Sequence, residues 1–105
     1  MPRRRRLIWS VEAEQDLFDI SAYLTARASA KIAERYLREI GRAAERARSR
    51  GLPGRTRHEL MPGMRSVLVH PYVIFFQVTE SSIEIVRVLH QRRDLESIFA
   101  DDVDD

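Results

Sequence analysis

MRSVLVHPYVIFFQVTESSIEIVRVL, residues Met64 to Leu89, is the only long run in the chain rich in β-branched and aromatic residues. It divides into three apolar segments, Arg65–Val69, Val73–Val78 and Ile83–Leu89, separated by His-Pro-Tyr at 70–72 and by Thr-Glu-Ser-Ser at 79–82. Short β-rich runs bounded by turn-forming residues predict a three-stranded antiparallel meander. Strict alternation along the last segment places Ile83, Ile85, Arg87 and Leu89 on one face and Glu84, Val86, Val88 and His90 on the other. The middle segment likewise sets Val73, Phe75 and Gln77 against Ile74, Phe76 and Val78. Both faces are largely apolar, so both need a cover.

Upstream, Leu7-Ile8-Trp9 predicts a short first strand, and Ser10 is placed to cap a helix that carries Glu12 and Glu14 in its first turn. Ala13, Leu17, Ile20 and Leu24 recur at helical spacing, flanked by Phe18 and Tyr23, with Glu12, Asp16 and Asp19 assigned to the wet side. That helix is expected to stop near Thr25–Ala28. Ser29 then caps a second one, buried along Ile32, Tyr36, Leu37, Ile40, Ala43, Ala44 and Ala47 and ending near Arg50-Gly51. Gly41 sits in its middle at a propensity cost of about 1 kcal/mol relative to alanine, which predicts a close approach of the two helices. Pro53-Gly54 and Pro62-Gly63 mark turns before the meander.

This order predicts an α+β fold, with an N-terminal short strand and an antiparallel helical hairpin packed on one face of a mainly antiparallel sheet. Leu95, Ile98 and Phe99 behind Asp94 predict a short C-terminal helix that docks on the sheet. Two helices cover only one face well, so the second face must be covered by the C-terminal segment, by another molecule, or by both. An arginine among aliphatic residues on that face makes it a candidate binding groove.

The 105 residues suit a single domain over 1–105, with a basic end at 1–6 and an acidic tail at 100–105. Hydrophobic residues at 44% and charged ones at 32% fit a folded chain rather than a disordered one. The absence of cysteine excludes disulfides and thiolate metal sites and points to a reducing compartment. Arg3 to Arg6 are followed by only Leu7, Ile8 and Trp9 before polar residues, so neither a signal peptide nor a membrane span is expected, and the cytoplasm is the expected location. The net charge of +2 hides a local imbalance, because arginines at 46, 48, 50, 55, 57 and 65 face Glu59 alone. Such a patch attracts a polyanion or an acidic protein.

No metal signature, phosphate loop or nucleophile motif occurs, so no cofactor is expected. Arg65, Arg87 and His90, with Arg55 and Arg57 near the sheet entrance, are chemically sufficient for RNA cleavage by 2′-hydroxyl attack. That reaction needs a proton carrier and cations to hold the phosphate. The same residues have plain structural roles open to them: Arg65 and Arg87 as ion-pair partners of Glu59 or Asp94, and His90 as a hydrogen-bonding strand end. Trp9 and Tyr72 read as packing residues, His58 and His70 as solvated turn residues.

Taken together, several ordered pieces look familiar: Gly54-Arg55-x-Arg57-x-Glu59-Leu60-x-Pro62-Gly63-x-Arg65-Ser66, then Tyr72-Val73-Ile74-Phe75-Phe76, then Ile83 to Leu89 followed by His90-x-Arg92-Arg93-Asp94-Leu95. With Trp9-Ser10, Ala13, Asp16-Leu17 and Ile20, this set resembles the ParE branch of the RelE/ParE toxin superfamily over most of Leu7 to Phe99. The resemblance implies a type II toxin–antitoxin toxin, neutralised by a ParD-like antitoxin that lies across the uncovered sheet face against Arg55, Arg57, Arg65, Phe75, Ile85 and Arg87. It implies a non-enzymatic DNA gyrase inhibitor of the plasmid-stabilisation type, with His90, Arg92, Arg93 and Asp94 as target-binding residues. The related RelE-like activity, a ribosome-dependent and metal-independent messenger RNA endoribonuclease using Arg65, Arg87 and His90, is the alternative. The exit His90-Gln91-Arg92-Arg93-Asp94 contains no tyrosine and is closer to the ParE-like ending.

Overall fold

The first strand, β1 (Arg6–Trp9), feeds directly into helix α1 (Val11–Arg27) through Ser10. The computed structural model describes residues 5–49, 54–93 and 98–99. Ser10 is extended, and its Oγ accepts the Ala13 N–H at 2.9 Å, satisfying one of the donors a helix start leaves free. Only Ala28 and Ser29 separate α1 from α2 (Ala30–Ser49), and the Ser29 Oγ accepts the Ile32 N–H at 3.1 Å. The two helices therefore form the expected hairpin. Gly41 does not serve their approach, since a methyl group built there meets nothing within 4 Å.

A two-residue strand that the sequence did not announce, β2 (Arg55–Thr56), precedes the meander β3 (Met64–Val69), β4 (Tyr72–Val78) and β5 (Ser82–His90). Gly54 makes it possible. Its φ of +87° suits glycine alone, and a Cβ there would strike the Ser66 carbonyl. The five strands lie in the order β1-β5-β4-β3-β2. All neighbours are antiparallel except β1, which runs parallel to β5 from Arg6↔Ser82 to Trp9↔Ile85.

The expected alternation along β5 fails halfway, for a specific reason. Phe76 pairs with Ile85 while Phe75 pairs with Arg87, so Val86 is an extra residue in a bulge. One inserted residue exchanges the faces of everything beyond it. Ile83 and Ile85 thus share the helix-side core with Val88, Ile74 and Phe76, whereas Leu89 joins Phe75 and Met64 on the opposite side. The Val86 carbonyl is held by the Ser10 hydroxyl at 2.8 Å, so the residue that caps α1 also fixes the bulge.

The helix-side core takes Ala13 and Ile20 from α1 and Ile40, Ala43, Ala44 and Ala47 from α2, whose short side chains let the helix lie close on the sheet. Trp9 and Tyr72 pack into it as the sequence suggests. Much of the far face is covered by the chain itself. The loop from Arg57 to Met64 folds back through the Leu60 N–H to Arg57 carbonyl bond at 3.1 Å, bringing Leu60 and Met61 over Phe75 and Met64. Phe99 completes the cover edge-on to Phe75, with ring centroids 5.0 Å apart. Of the expected C-terminal helix, Asp94 and Leu95 lie outside the described residues, while Ile98 and Phe99 have helical backbone.

Candidate functional site

Where β1 ends, β5 continues. Among the described residues no strand pairs with the outer edge of 86–90, and Asp16 of α1 takes over part of that role. Asp16, at 8% exposure, is buried rather than wet as its sequence context suggested. Its Oδ2 accepts the Arg87 Nε–H at 2.8 Å and the Val88 backbone N–H at 2.9 Å, while its Oδ1 accepts from Arg87 Nη2 at 3.0 Å. The fork of the guanidinium matches the carboxylate in two parallel bonds, which makes this a strong and directional pair. Asp16 is thus a partner of Arg87 that the sequence reading did not name, while Asp94, offered there, lies outside the described residues. Its position on the buried stripe, three residues after Ala13 and four before Ile20, was the available signal for a buried carboxylate that needs a cation.

Beside this clasp lies a cavity of about 420 Å3. Ile20 and Leu24 of α1, Pro71, and Tyr72, Val88 and Leu89 of the sheet form its apolar walls. Asp16, Asp19, Tyr23, His90 and Arg93 contribute the rest of its lining. The sequence reading singled out His90 and Arg93 but not the α1 wall, because helical spacing alone does not show that a groove remains open beside the packed stripe.

His90 organises the chain's departure from the sheet. Its Nδ1 accepts the Arg92 N–H at 3.2 Å, its carbonyl accepts the Arg93 N–H at 3.0 Å, and its ring meets Tyr72 edge-on at 5.8 Å. With Nδ1 accepting, a neutral ring carries its proton on Nε2. Arg92 and Arg93 are thereby presented on an exposed, hydrogen-bonded turn. Asp94 falls outside the described residues. Burial pushes the Tyr72 phenol above its ordinary pKa, with Tyr36 and Tyr23 adding to the effect, so it remains protonated at neutral pH.

The other arginines gather at the opposite edge. Arg55 on β2 is exposed, and Arg57 Nε donates to Glu59 Oε2 at 2.6 Å while its guanidinium lies 5.6 Å from the Phe75 ring centroid. Arg65 on β3 reaches the Gly54 carbonyl at 3.4 Å. The Arg57 pair holds the Glu59 carboxyl below its ordinary pKa. His58 and His70 are exposed in turns, as expected.

Two residues expected at a partner interface are placed where no partner reaches them: Phe75 and Ile85 are both 0% exposed, in the cores on opposite sides of the sheet. The bulge and the Phe99 cover are the physical reasons. Nor does the fold bring Arg65, Arg87 and His90 together. Arg65 is level with Phe76, and His90 with Tyr72, four β4 positions or about 14 Å away along the strand, and Arg87 is engaged by Asp16.

The family model for the ParE toxin of the type II toxin–antitoxin system parDE matches residues 7–95. The chain belongs to this ParE family. Toxin ParE1 of Mycobacterium tuberculosis, from strains CDC 1551 / Oshkosh and ATCC 25618 / H37Rv, is 43% identical over 65 residues, which is 61% of this chain and 66% of each relative. The chain thus aligns with just under two thirds of those relatives' length. Among solved structures, a chain of the chromosomal ParDE TA system from P. aeruginosa superposes with a TM-score of 0.72 at 23% identity, covering 83% of this chain and 96% of that one. The ParE fold therefore accounts for the helical hairpin on a mixed sheet. The matched span also includes the Asp16–Arg87 clasp, the cavity and the arginine turn. Among the described residues of this ParE-family chain, no helix is long and apolar enough to cross a membrane.

Proposed function

We propose that this chain is the toxin of a type II toxin–antitoxin pair, that a ParD-like antitoxin neutralises it in the cytoplasm, and that it inhibits DNA gyrase by binding it. Membership of the ParE family supports the toxin–antitoxin reading. The observation that carries the mode of action is the exit from β5. His90 pins a turn that displays Arg92 and Arg93 as exposed cations beside an apolar cavity, an arrangement built for recognition, while the residues of the acid–base alternative stand apart. Arg92, Arg93 and His90 are the proposed target contacts. Arg55, Arg57 and Arg65, at the far edge, are proposed to meet acidic side chains of the antitoxin, which makes that association sensitive to salt.

Purified toxin incubated with gyrase and supercoiled plasmid tests this directly. Loss of supercoiling activity with accumulation of cleaved DNA is the expected result, reversed by added antitoxin and weakened by Arg92→Glu with Arg93→Glu. Unaltered gyrase activity at excess toxin would refute the gyrase assignment.

A further inference from the structure

The basic end at 3–6 and the basic stretch from Arg46 to Arg65 lie far apart along the chain. The sheet brings members of both to one place. Arg5, just before β1, donates its Nε–H to the Thr79 carbonyl at 3.0 Å, at the turn between β4 and β5. Its own carbonyl accepts from Nη1 of Arg48, in the last turn of α2, at 3.5 Å. Further along the same end of the sheet, β2 sets Thr56 beside Arg65, and His58 follows in the turn after β2. Arg5 and Arg65, 60 residues apart in the sequence, thus line one open cavity of about 430 Å3 together with Thr56, His58 and Glu80. It shares no lining residue with the groove beside α1.

The donors around this cavity converge from three separate segments. Arg65 directs Nη2 to the Gly54 carbonyl at 3.4 Å, at the long end for a hydrogen bond. His58 is exposed, and no hydrogen bond or ion pair engages its side chain among the described residues. An imidazole N–H donates in either protonation state, and the Thr56 hydroxyl adds a further donor. Glu80 is the one carboxylate among the described lining residues and is exposed at its turn, so the two guanidiniums outweigh it. Arg55, exposed beside Thr56 on β2, carries the positive strip onward. Guanidinium forks match phosphate oxygens, and cations placed in succession suit a ligand with repeated anionic groups better than a single carboxylate.

We propose that this cavity holds a backbone phosphate of duplex DNA. Arg5 and Arg65 clamp it, His58 and Thr56 donate beside them, and Arg55 meets a neighbouring phosphate. Contacts of this kind position a protein on the duplex without reading its bases. A duplex is the favoured source because it carries about one charge per 1.7 Å of axis and releases the most counterions to a cationic site. Arg65 is also a proposed antitoxin contact, so antitoxin and DNA exclude each other there. The inference goes beyond the gyrase reading and does not depend on it, since duplex binding is measured with no gyrase present.

Fluorescence anisotropy of the toxin with labelled duplexes across a salt series tests the site. Two duplexes of unrelated sequence are expected to bind within about twofold of each other, with affinity falling against salt at a logarithmic slope of about −2 to −3. Arg5→Gln should weaken binding about fivefold and flatten that slope by about one. His58→Ala, at a side chain that bonds nothing in the fold, should weaken binding about threefold with an unchanged unfolding midpoint. Arg38→Gln, which removes the same charge as Arg5→Gln from the exposed side of α2, should change affinity less than twofold. No binding at low salt, or equal losses from Arg5→Gln and Arg38→Gln, would overturn the site. So would tighter binding of a single-stranded RNA of equal length, or binding of polyglutamate or inorganic phosphate as tight as that of the duplex. Gyrase inhibition by a toxin that binds no DNA would sink this inference alone, whereas duplex binding without gyrase inhibition would sink only the gyrase assignment.

Discussion

Asp16 serves two neighbours on β5 at once. It neutralises Arg87, caps the Val88 N–H and stands in for the missing end of β1. Removing one partner of a buried pair leaves the other charge stranded, so Asp16→Ala is expected to lower stability by about 3–5 kcal/mol, read from the urea unfolding midpoint. Replacing both members, Asp16→Ala with Arg87→Met, should cost less than the two single changes summed, because no charge is left alone. Glu59 offers a test of opposite character, at the surface. Its carboxyl titrates below the ordinary 4.5 because Arg57 favours the ionised form. A depressed value means that the pair supports the fold above 4.5 and that this support disappears as pH falls through the folded value. Side-chain NMR titration should place the Glu59 midpoint below 4.5, and Arg57→Ala should return it toward 4.5. At this scale the sequence was least legible. It offered Glu59 or Asp94 to Arg65 and Arg87 and did not name Asp16, because pairing across 71 residues, as from Asp16 to Arg87, leaves no local trace.

Elements were easier to read. Both helices, their serine caps and the meander follow from periodicity and turn residues, which are local signals. The two-residue β2 and the bulge at Val86 were not legible, because one depends on a left-handed glycine finding the Ser66 carbonyl and the other on Ser10 arriving from 76 residues away. Gly41 and Gly54 test this distinction. Gly41 has open space around it and lies within α2, so Gly41→Ala should raise stability by about 1 kcal/mol. Gly54→Ala should lower it by about 1–3 kcal/mol, since both the φ and the approach to Ser66 forbid a side chain. Thermal unfolding of the two variants side by side decides both.

Across the whole molecule, the question posed by a sheet with two apolar faces has a mixed answer. The helical hairpin covers one face, and the 57–64 loop with Phe99 covers much of the other, leaving Leu68 at 59% exposure. Phe99→Ala is expected to cost about 3–5 kcal/mol and to expose Phe75, which a hydrophobic dye would report. Ile85→Asp and Arg87→Glu strike the core and the clasp, so their effects on partner binding would be those of unfolding. The candidate site was legible in its charged rim, His90 and Arg93, and hidden in its wall. Whether a gap remains beside α1 depends on how far β1 extends, a property of the assembled sheet.

The parallel pairing of β1 with β5 also bears on how the protein comes into being. Strand β1 is made before the other strands, yet the strand it pairs with begins at Ser82, and the Ser10 hydroxyl finds the Val86 carbonyl 76 residues later. During translation the first strand has nothing to pair with, and the helix-side core lacks its sheet. The nascent chain can form the hairpin, whose contacts are local, but it must keep β1 and the inner face of α1 waiting until β5 has emerged. Formation of the finished fold is thus a late event in synthesis, and a chain cut short before Ser82 lacks both the closed sheet and the arginine turn.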